Sequence, residues 1–102
     1  MTTFILEQTS KVYSCDDLCE RCGVTVTVIQ EFMALGIIVP ANTIDGEHQF
    51  STESYLRLRK ALRIQRDLAV NPPGVALALD LLDEVDTLRK QLHALTGITL
   101  EK

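Results

Sequence analysis

Ser14-Cys15-Asp16-Asp17-Leu18-Cys19-Glu20-Arg21-Cys22-Gly23-Val24, running on to Leu35-Gly36-Ile37-Ile38, is the stretch on which the fold turns. The Ser14 hydroxyl suits the orphan N–H groups of a helix start, and Asp17 three residues on can answer it, an acidic variant of the capping box. The helix opened there should run to about Cys22 and stop at Gly23, since glycine takes a left-handed C-cap without steric cost. Thr25 then caps a second helix, in which Val28, Ile29, Phe32 and Met33 recur at helical spacing. Leu35-Gly36 closes it. Two short helices joined by a glycine-containing turn are a helix-turn-helix.

Working outward, residues 4–12 read as a short strand and lead-in. Downstream, Ile37-Ile38-Val39 before Pro40 reads as a strand, Asp45-Gly46 as a turn and His48-Gln49-Phe50 as the return strand, so residues 37–50 predict a β-hairpin wing. Ser51 caps a third helix to about Val70, with Tyr55, Leu58, Leu62, Gln65 and Ala69 along one stripe. Asn71-Pro72-Pro73 breaks the chain and restarts it, because a first-turn proline loses only an N–H that was unpartnered anyway. The fourth helix spans about 73–95. Its first half, with Val75, Leu77, Leu79, Leu81 and Leu82, is apolar on most sides and is expected in a core. Ala78, Leu81, Val85, Leu88, Leu92 and Leu95 follow a 3-4-3-4-3 spacing, an a/d seam that needs a covering helix. That helix could come from the same chain, and a homodimer through this C-terminal helix is the favoured expectation. Thr96-Gly97 ends the helix, and the tail beyond should fray. The fold class predicted is mainly α: one domain over residues 1–102, with a winged helix-turn-helix at 12–50, a third helix at 51–70 and a seam-bearing helix at 73–95.

The 102 residues carry a formal charge of −4, unevenly spread. Residues 1–50 hold two bases and seven acids. Residues 51–70 hold Arg57, Arg59, Lys60, Arg63 and Arg66 against Glu53 and Asp67, and residues 71–102 hold three bases and five acids. One basic segment therefore lies between two acidic ones, and the chain as a whole repels phosphate. No apolar run is long enough to span a bilayer. The N-terminus lacks the basic region of a signal peptide, so a cytoplasmic protein without a membrane partner is expected.

A helix that reads DNA needs Arg, Lys, Asn or Gln for bases and positive charge for phosphates. Between Val24 and Gly36 the only charge is Glu31. Over roughly positions 12–70 the chain resembles the MerR family of regulators, whose second helix begins Val-Ser-x-Arg-Thr-Leu-Arg-Tyr-Tyr-Glu and continues to Leu-Gly-Leu. The anchors Val24, Ile29, Phe32, Leu35 and Gly36 match that pattern, while Thr27 and Gln30 stand where arginine is usual. The family's wing Gly-Tyr-Arg-x-Tyr becomes Gly46-Glu47-His48-Gln49-Phe50. Gln30 and His48 cannot replace the roughly six to ten phosphate contacts of an ordinary operator complex. The bases of the third helix read as its solvated face, partly paired with Asp67 or the acids of the fourth helix. A DNA-binding transcriptional regulator stays as the alternative, with nucleic acid disfavoured.

The second half is more telling. Leu68-Ala69, Pro73-Gly74-Val75-Ala76-Leu77-Ala78-Leu79 and Leu82-Asp83-Glu84 resemble the CbpM chaperone modulators, whose hallmark is Leu-Ala-x-x-x-Pro-Gly-[Ile/Val]-Ala-x-Ala-Leu followed by a leucine and acids. This likeness covers nearly the whole chain. It implies a non-enzymatic protein that binds the J-domain of a DnaJ-like co-chaperone, of the curved-DNA-binding protein A type, and holds it off its DnaK-type partner. J-domains present a basic helix, so an acidic competitor fits by charge. Asp80, Asp83 and Glu84 lie within about one turn of each other on the fourth helix, beside the seam. Asp16, Asp17 and Glu20 on the first helix are a second acidic candidate, although acids there also favour the helix dipole without any partner.

Cys15, Cys19 and Cys22 share one face at i, i+4 and i+7. Three thiolates could take a soft metal, and a thiol-based sensor is a third reading. However, Cys15 and Cys22 would stand roughly 10 Å apart along the axis, too far for one tetrahedral zinc. Small buried apolar side chains are the favoured account, with reduced thiols. His48 and His93 have no nucleophile or carboxylate arranged about them in the sequence, and no glycine-rich phosphate loop is present. Neither a catalytic residue nor a cofactor or metal site is assigned.

Overall fold

A computed structural model of the chain describes residues 11–97. The order is β1 (Val12–Ser14), α1 (Cys15–Cys22), α2 (Val26–Ala34), β2 (Asn42–Ile44), β3 (Glu47–Ser51), α3 (Thr52–Leu68) and α4 (Pro72–Thr96). The architecture is mainly helical with a small antiparallel sheet, as the sequence predicts. Residues 4–10 of the expected lead-in strand, and the tail beyond Gly97, lie outside the described residues.

Most helix ends form where the sequence places them. Ser14 Oγ accepts the Asp17 N–H at 3.0 Å while the Ser14 N–H donates to Asp17 Oδ2 at 3.0 Å, completing the capping box of α1. Gly23 closes that helix at φ 67°. Thr25 does hold the extended N-cap position of α2, yet its side chain makes no cap bond. Its carbonyl instead receives the Val28 and Ile29 N–H groups at 3.1 and 3.3 Å.

The wing departs from expectation. It is the hairpin β2–β3 around Asp45-Gly46, and residues 37–39 are not strand. Ile37 and Ile38 are both buried, which the alternation of a strand facing one core cannot do. Their segment is held by side chains of α3: Arg57 Nε donates to the Ile37 carbonyl at 2.8 Å, and Ser54 Oγ to the Val39 carbonyl at 3.1 Å. The sheet order is β1-β3-β2, both pairings antiparallel, with Tyr13 opposite Phe50 and Thr43 opposite His48. β3 is thereby central, and β1 ties the start of the helix-turn-helix to its wing.

α3 stops two residues early, at Leu68. Ala69 adopts φ 52°, a left-handed conformation that costs an L-residue about 1–2 kcal/mol. It therefore turns the chain rather than extending the expected stripe. Leu58 and Ala61 are the fully buried residues of α3, while Tyr55, Leu62 and Gln65 are half-buried. Asn71 Oδ1 accepts the Gly74 N–H at 2.8 Å and Pro72 takes the first helical position, so α4 starts as the sequence requires.

The core joins Tyr13, Leu18, Ile29, Phe32, Ile37, Ile38 and Phe50 of the front half to Leu58, Ala61, Val75 and Leu79. From α4 only Val75 and Leu79 enter it. Leu77, Leu81 and Leu82, expected in the core, are exposed. The reason is geometric. α4 packs along α3 by the face of Val75 and Leu79; Leu77 and Leu81, each two residues on, point about 200° away from that face, and Leu82 lies at its edge.

Candidate functional site

Three surfaces could carry recognition, and the fold gives each a different character. The outer face of α2 is nearly uncharged. Thr27, Gln30 and Glu31 are exposed on it, while Ile29 and Phe32 bury the other side. On the wing, His48 Nδ1 is 3.1 Å from Thr43 Oγ1 across the hairpin, and its ring meets Phe50 edge-on at 6.2 Å. The one basic-capable side chain of the wing is thus engaged within the hairpin.

The second surface is the outer part of α4. Asp80, Asp83 and Glu84 are all exposed there. Asp83 is also an anchor: its Oδ2 lies 3.2 Å from Arg57 Nη1. Because Arg57 also holds the Ile37 carbonyl, one side chain links the end of the helix-turn-helix, α3 and α4. The sequence leads one to expect the bases of α3 partly paired with Asp67 or the acids of α4, and Arg57–Asp83 is such a pair, as are Arg63 and Arg66 with Asp67. The bond from Arg57 to the Ile37 carbonyl, 20 residues away, leaves no local signal. Asp80 and Glu84 form no ion pair among the described residues and remain available to a partner. Beside them runs the seam. Leu81, Val85, Leu88 and Leu92 are 41–57% exposed among the described residues, an apolar stripe at a/d spacing.

The third surface is the acidic start of α1. Asp16, Asp17 and Glu20 are exposed. Asp17 is committed to the capping box, leaving Asp16 and Glu20 as the outward charges. The two acidic groups sit on different layers, since α1 packs on α2, β1 and β3, whereas α4 packs on α3.

The cysteines are free, half-buried and packed against the core. Burial pushes the Cys15 thiol up, helped by the neighbouring Cys19 and Asp16. It also raises Cys22, against partial relief from Arg59. Thiols held in the neutral form are poor nucleophiles and poor ligands at neutral pH. Among the described residues, no group of three or more His, Cys, Asp or Glu is placed to hold a metal ion. No helix among them is long and apolar enough to cross a membrane.

Sequence reading also missed a stack of rings and cations. Tyr13 and Tyr55 stack at 4.8 Å, with the Arg21 guanidinium 5.3 and 5.9 Å from the two ring centroids and Arg59 5.8 Å from Tyr55. These residues come from β1, α1 and α3, so only the tertiary fold assembles them.

Comparison with known proteins matches residues 13–96 to the family described as MerR HTH family regulatory protein. Proteins named chaperone modulatory protein CbpM from Salmonella paratyphi B, Salmonella newport and Salmonella heidelberg are each 33% identical over 79 residues. That span is 78% of this chain and 78% of each relative.

Proposed function

We propose, since this chain belongs to the CbpM family of chaperone modulatory proteins on a MerR-type helix-turn-helix, that it is a non-enzymatic chaperone regulator acting in the cytoplasm. It binds the J-domain of a DnaJ-like co-chaperone and inhibits it by occupying the basic helix that the DnaK-type chaperone needs. The observation that carries this reading is a contrast of charge. The helix that should meet DNA presents no base, while exposed α4 presents the unpaired carboxylates of Asp80 and Glu84. Complementary fields raise the encounter rate and fix orientation, so a short acidic face suffices to steer a basic helix. Asp83, tied to Arg57, shapes that face, and Asp16, Asp17 and Glu20 add to the negative field from the other end of the fold.

The seam of α4 belongs to a second copy of this chain. Four large side chains left 41–57% exposed at a/d spacing make a stripe that a parallel or antiparallel partner helix would cover. Each is already about half covered, so burying the rest is worth about 1 kcal/mol per side chain, and the contributions of both chains together oppose the cost of association. Leu88→Glu places a charge in the seam's middle, and sedimentation equilibrium should then give the monomer mass. A wild-type chain that sediments as a monomer at all concentrations contradicts the dimer.

The test of the main reading is a calorimetric titration against the J-domain of a curved-DNA-binding co-chaperone, at low and at moderate salt. Saturable binding that weakens with salt is the expected result. Absence of binding at both salts would return the chain to the DNA-binding regulators of its fold.

A further inference from the structure

Between the C-terminal end of α1 and the outer face of α3 lies an open trough of about 430 Å³, lined by Arg21, Cys22, Leu56, Arg59, Lys60, Leu62, Arg63 and Arg66. Five of those eight residues are bases in a chain whose net charge is −4. We infer that this trough is a binding site for an acidic peptide segment bearing an apolar side chain, distinct from the J-domain surface on α4 and independent of it.

Three observations carry the inference. First, the charge is not spent. Asp67 pairs with Arg63 and Arg66 at one end of the trough. Arg21, Arg59 and Lys60 meet no carboxylate within 4.0 Å among the described residues, so three positive charges stand open to a ligand.

Second, two of the guanidinium groups are already placed. Arg21 lies 5.3 and 5.9 Å from the ring centroids of the stacked pair, and Arg59 5.8 Å from that of Tyr55. Attraction to the rings restrains each guanidinium beside the tyrosine pair, and N–H groups turned away from the rings can grip a carboxylate. Part of the ordering cost that a flexible arginine meets on binding is thereby met in the free protein.

Third, the floor is mixed. Leu56 is 52% exposed beside Lys60, and Leu62 is half-buried below Arg59 and Arg63. The backbone of a duplex would leave that apolar surface uncovered, whereas a peptide with leucine or valine next to Asp or Glu covers it and meets the bases together. The half-buried Cys22 adds no negative charge at neutral pH, since burial keeps its thiol protonated.

The probe is a fluorescein-labelled hexapeptide amide, Glu-Leu-Glu-Glu-Leu-Glu, followed by anisotropy against the full chain. Its Gln-for-Glu counterpart and a ten-nucleotide oligothymidine serve as unlabelled competitors. The acidic peptide should bind saturably and more weakly as salt rises. Arg59→Gln with Lys60→Gln should weaken it at least about tenfold, with circular dichroism unchanged, because two charge-assisted contacts are lost. Lys60→Gln alone, at an exposed position outside the ring stack, should produce a smaller loss. J-domain affinity should be the same in these variants as in wild type, so the fate of this site is read separately from that of α4. No saturable binding, equal competition by the Gln peptide, or an undiminished affinity in the double variant overturns the proposal. Oligothymidine displacing the peptide at lower concentration overturns it in favour of nucleic acid. Peptide binding that vanishes as the chain self-associates overturns it in favour of a second copy filling the trough.

Discussion

α3 and α4 are adjoining helices of opposite sign, and they treat their apolar residues in opposite ways. α3 buries Leu58 and Ala61 against the front half, lays its bases along the outside, and keeps only Leu56 and Leu68 as exposed large apolar side chains. α4 buries Val75 and Leu79 near its start, and then carries Leu81, Leu82, Val85, Leu88, Leu92 and Leu95 into solvent. Propensity and spacing are good in both. What differs is the cover each receives, because the sheet and the helix-turn-helix back α3, while α4 outruns everything it packs on. The difference teaches that an apolar period announces a helix with a face to bury, and is silent about which molecule buries it.

That comparison breaks most sharply at two leucines of one helix. Leu79→Ala should lower stability by about 2–5 kcal/mol, as for other buried leucines, measured by urea unfolding. Leu88→Ala should leave the unfolding midpoint of the dissociated chain nearly unchanged, and should instead weaken self-association. Equal destabilisation by both would mean that the outer half of α4 is covered within the chain.

Smaller effects sharpen the link between the two helices. Arg57→Gln removes the donor to the Ile37 carbonyl and the partner of Asp83 together. A loss of about 1–2 kcal/mol is expected, nearly all of it from the half-buried carbonyl, since a solvent-exposed ion pair adds little. Asp83→Asn should then cost no more than about 1 kcal/mol in the same unfolding experiment. At the joint, Gly74→Ala would bring a methyl group to 3.1 Å from Asn71 Oδ1 and 3.2 Å from Val70 Cβ, pressing on the cap of α4. A fall in stability of about 1 kcal/mol is expected, comparable to losing the cap. Ala69→Gly should do the reverse, by a few tenths of a kcal/mol up to about 1, because glycine holds φ 52° without strain.

The parts of the fold legible in the sequence are those whose physics is local. Ser14 with Asp17, Gly23, Leu35-Gly36, Ser51 and Asn71-Pro72 each determine an end of a helix through atoms three or four residues away, and each does so here. Where long-range contacts decide, the local reading fails. Ile37-Ile38-Val39 has strand composition, but its carbonyls are claimed by Arg57 and Ser54 from α3. Leu77, Leu81 and Leu82 have core composition, but they lie off the face that α4 turns to α3 and are left 44–60% exposed. The candidate site divides in the same way. The acids of α4 and the absence of bases on α2 are visible along the chain, since charge is a property of single residues. The expected pairing of α3 bases with α4 acids is realised as Arg57–Asp83, whereas the bond from Arg57 to the Ile37 carbonyl and the arginines beside Tyr13 and Tyr55 require the folded arrangement.

The central claim is that the acidic face of α4 docks the J-domain. Its most direct test is calorimetry of Asp80→Lys with Glu84→Lys against that J-domain, beside wild type, with circular dichroism recorded on both. Both positions are exposed and unpaired, so the fold should be unchanged while binding is abolished. A double variant that keeps native helicity and wild-type affinity would contradict the account.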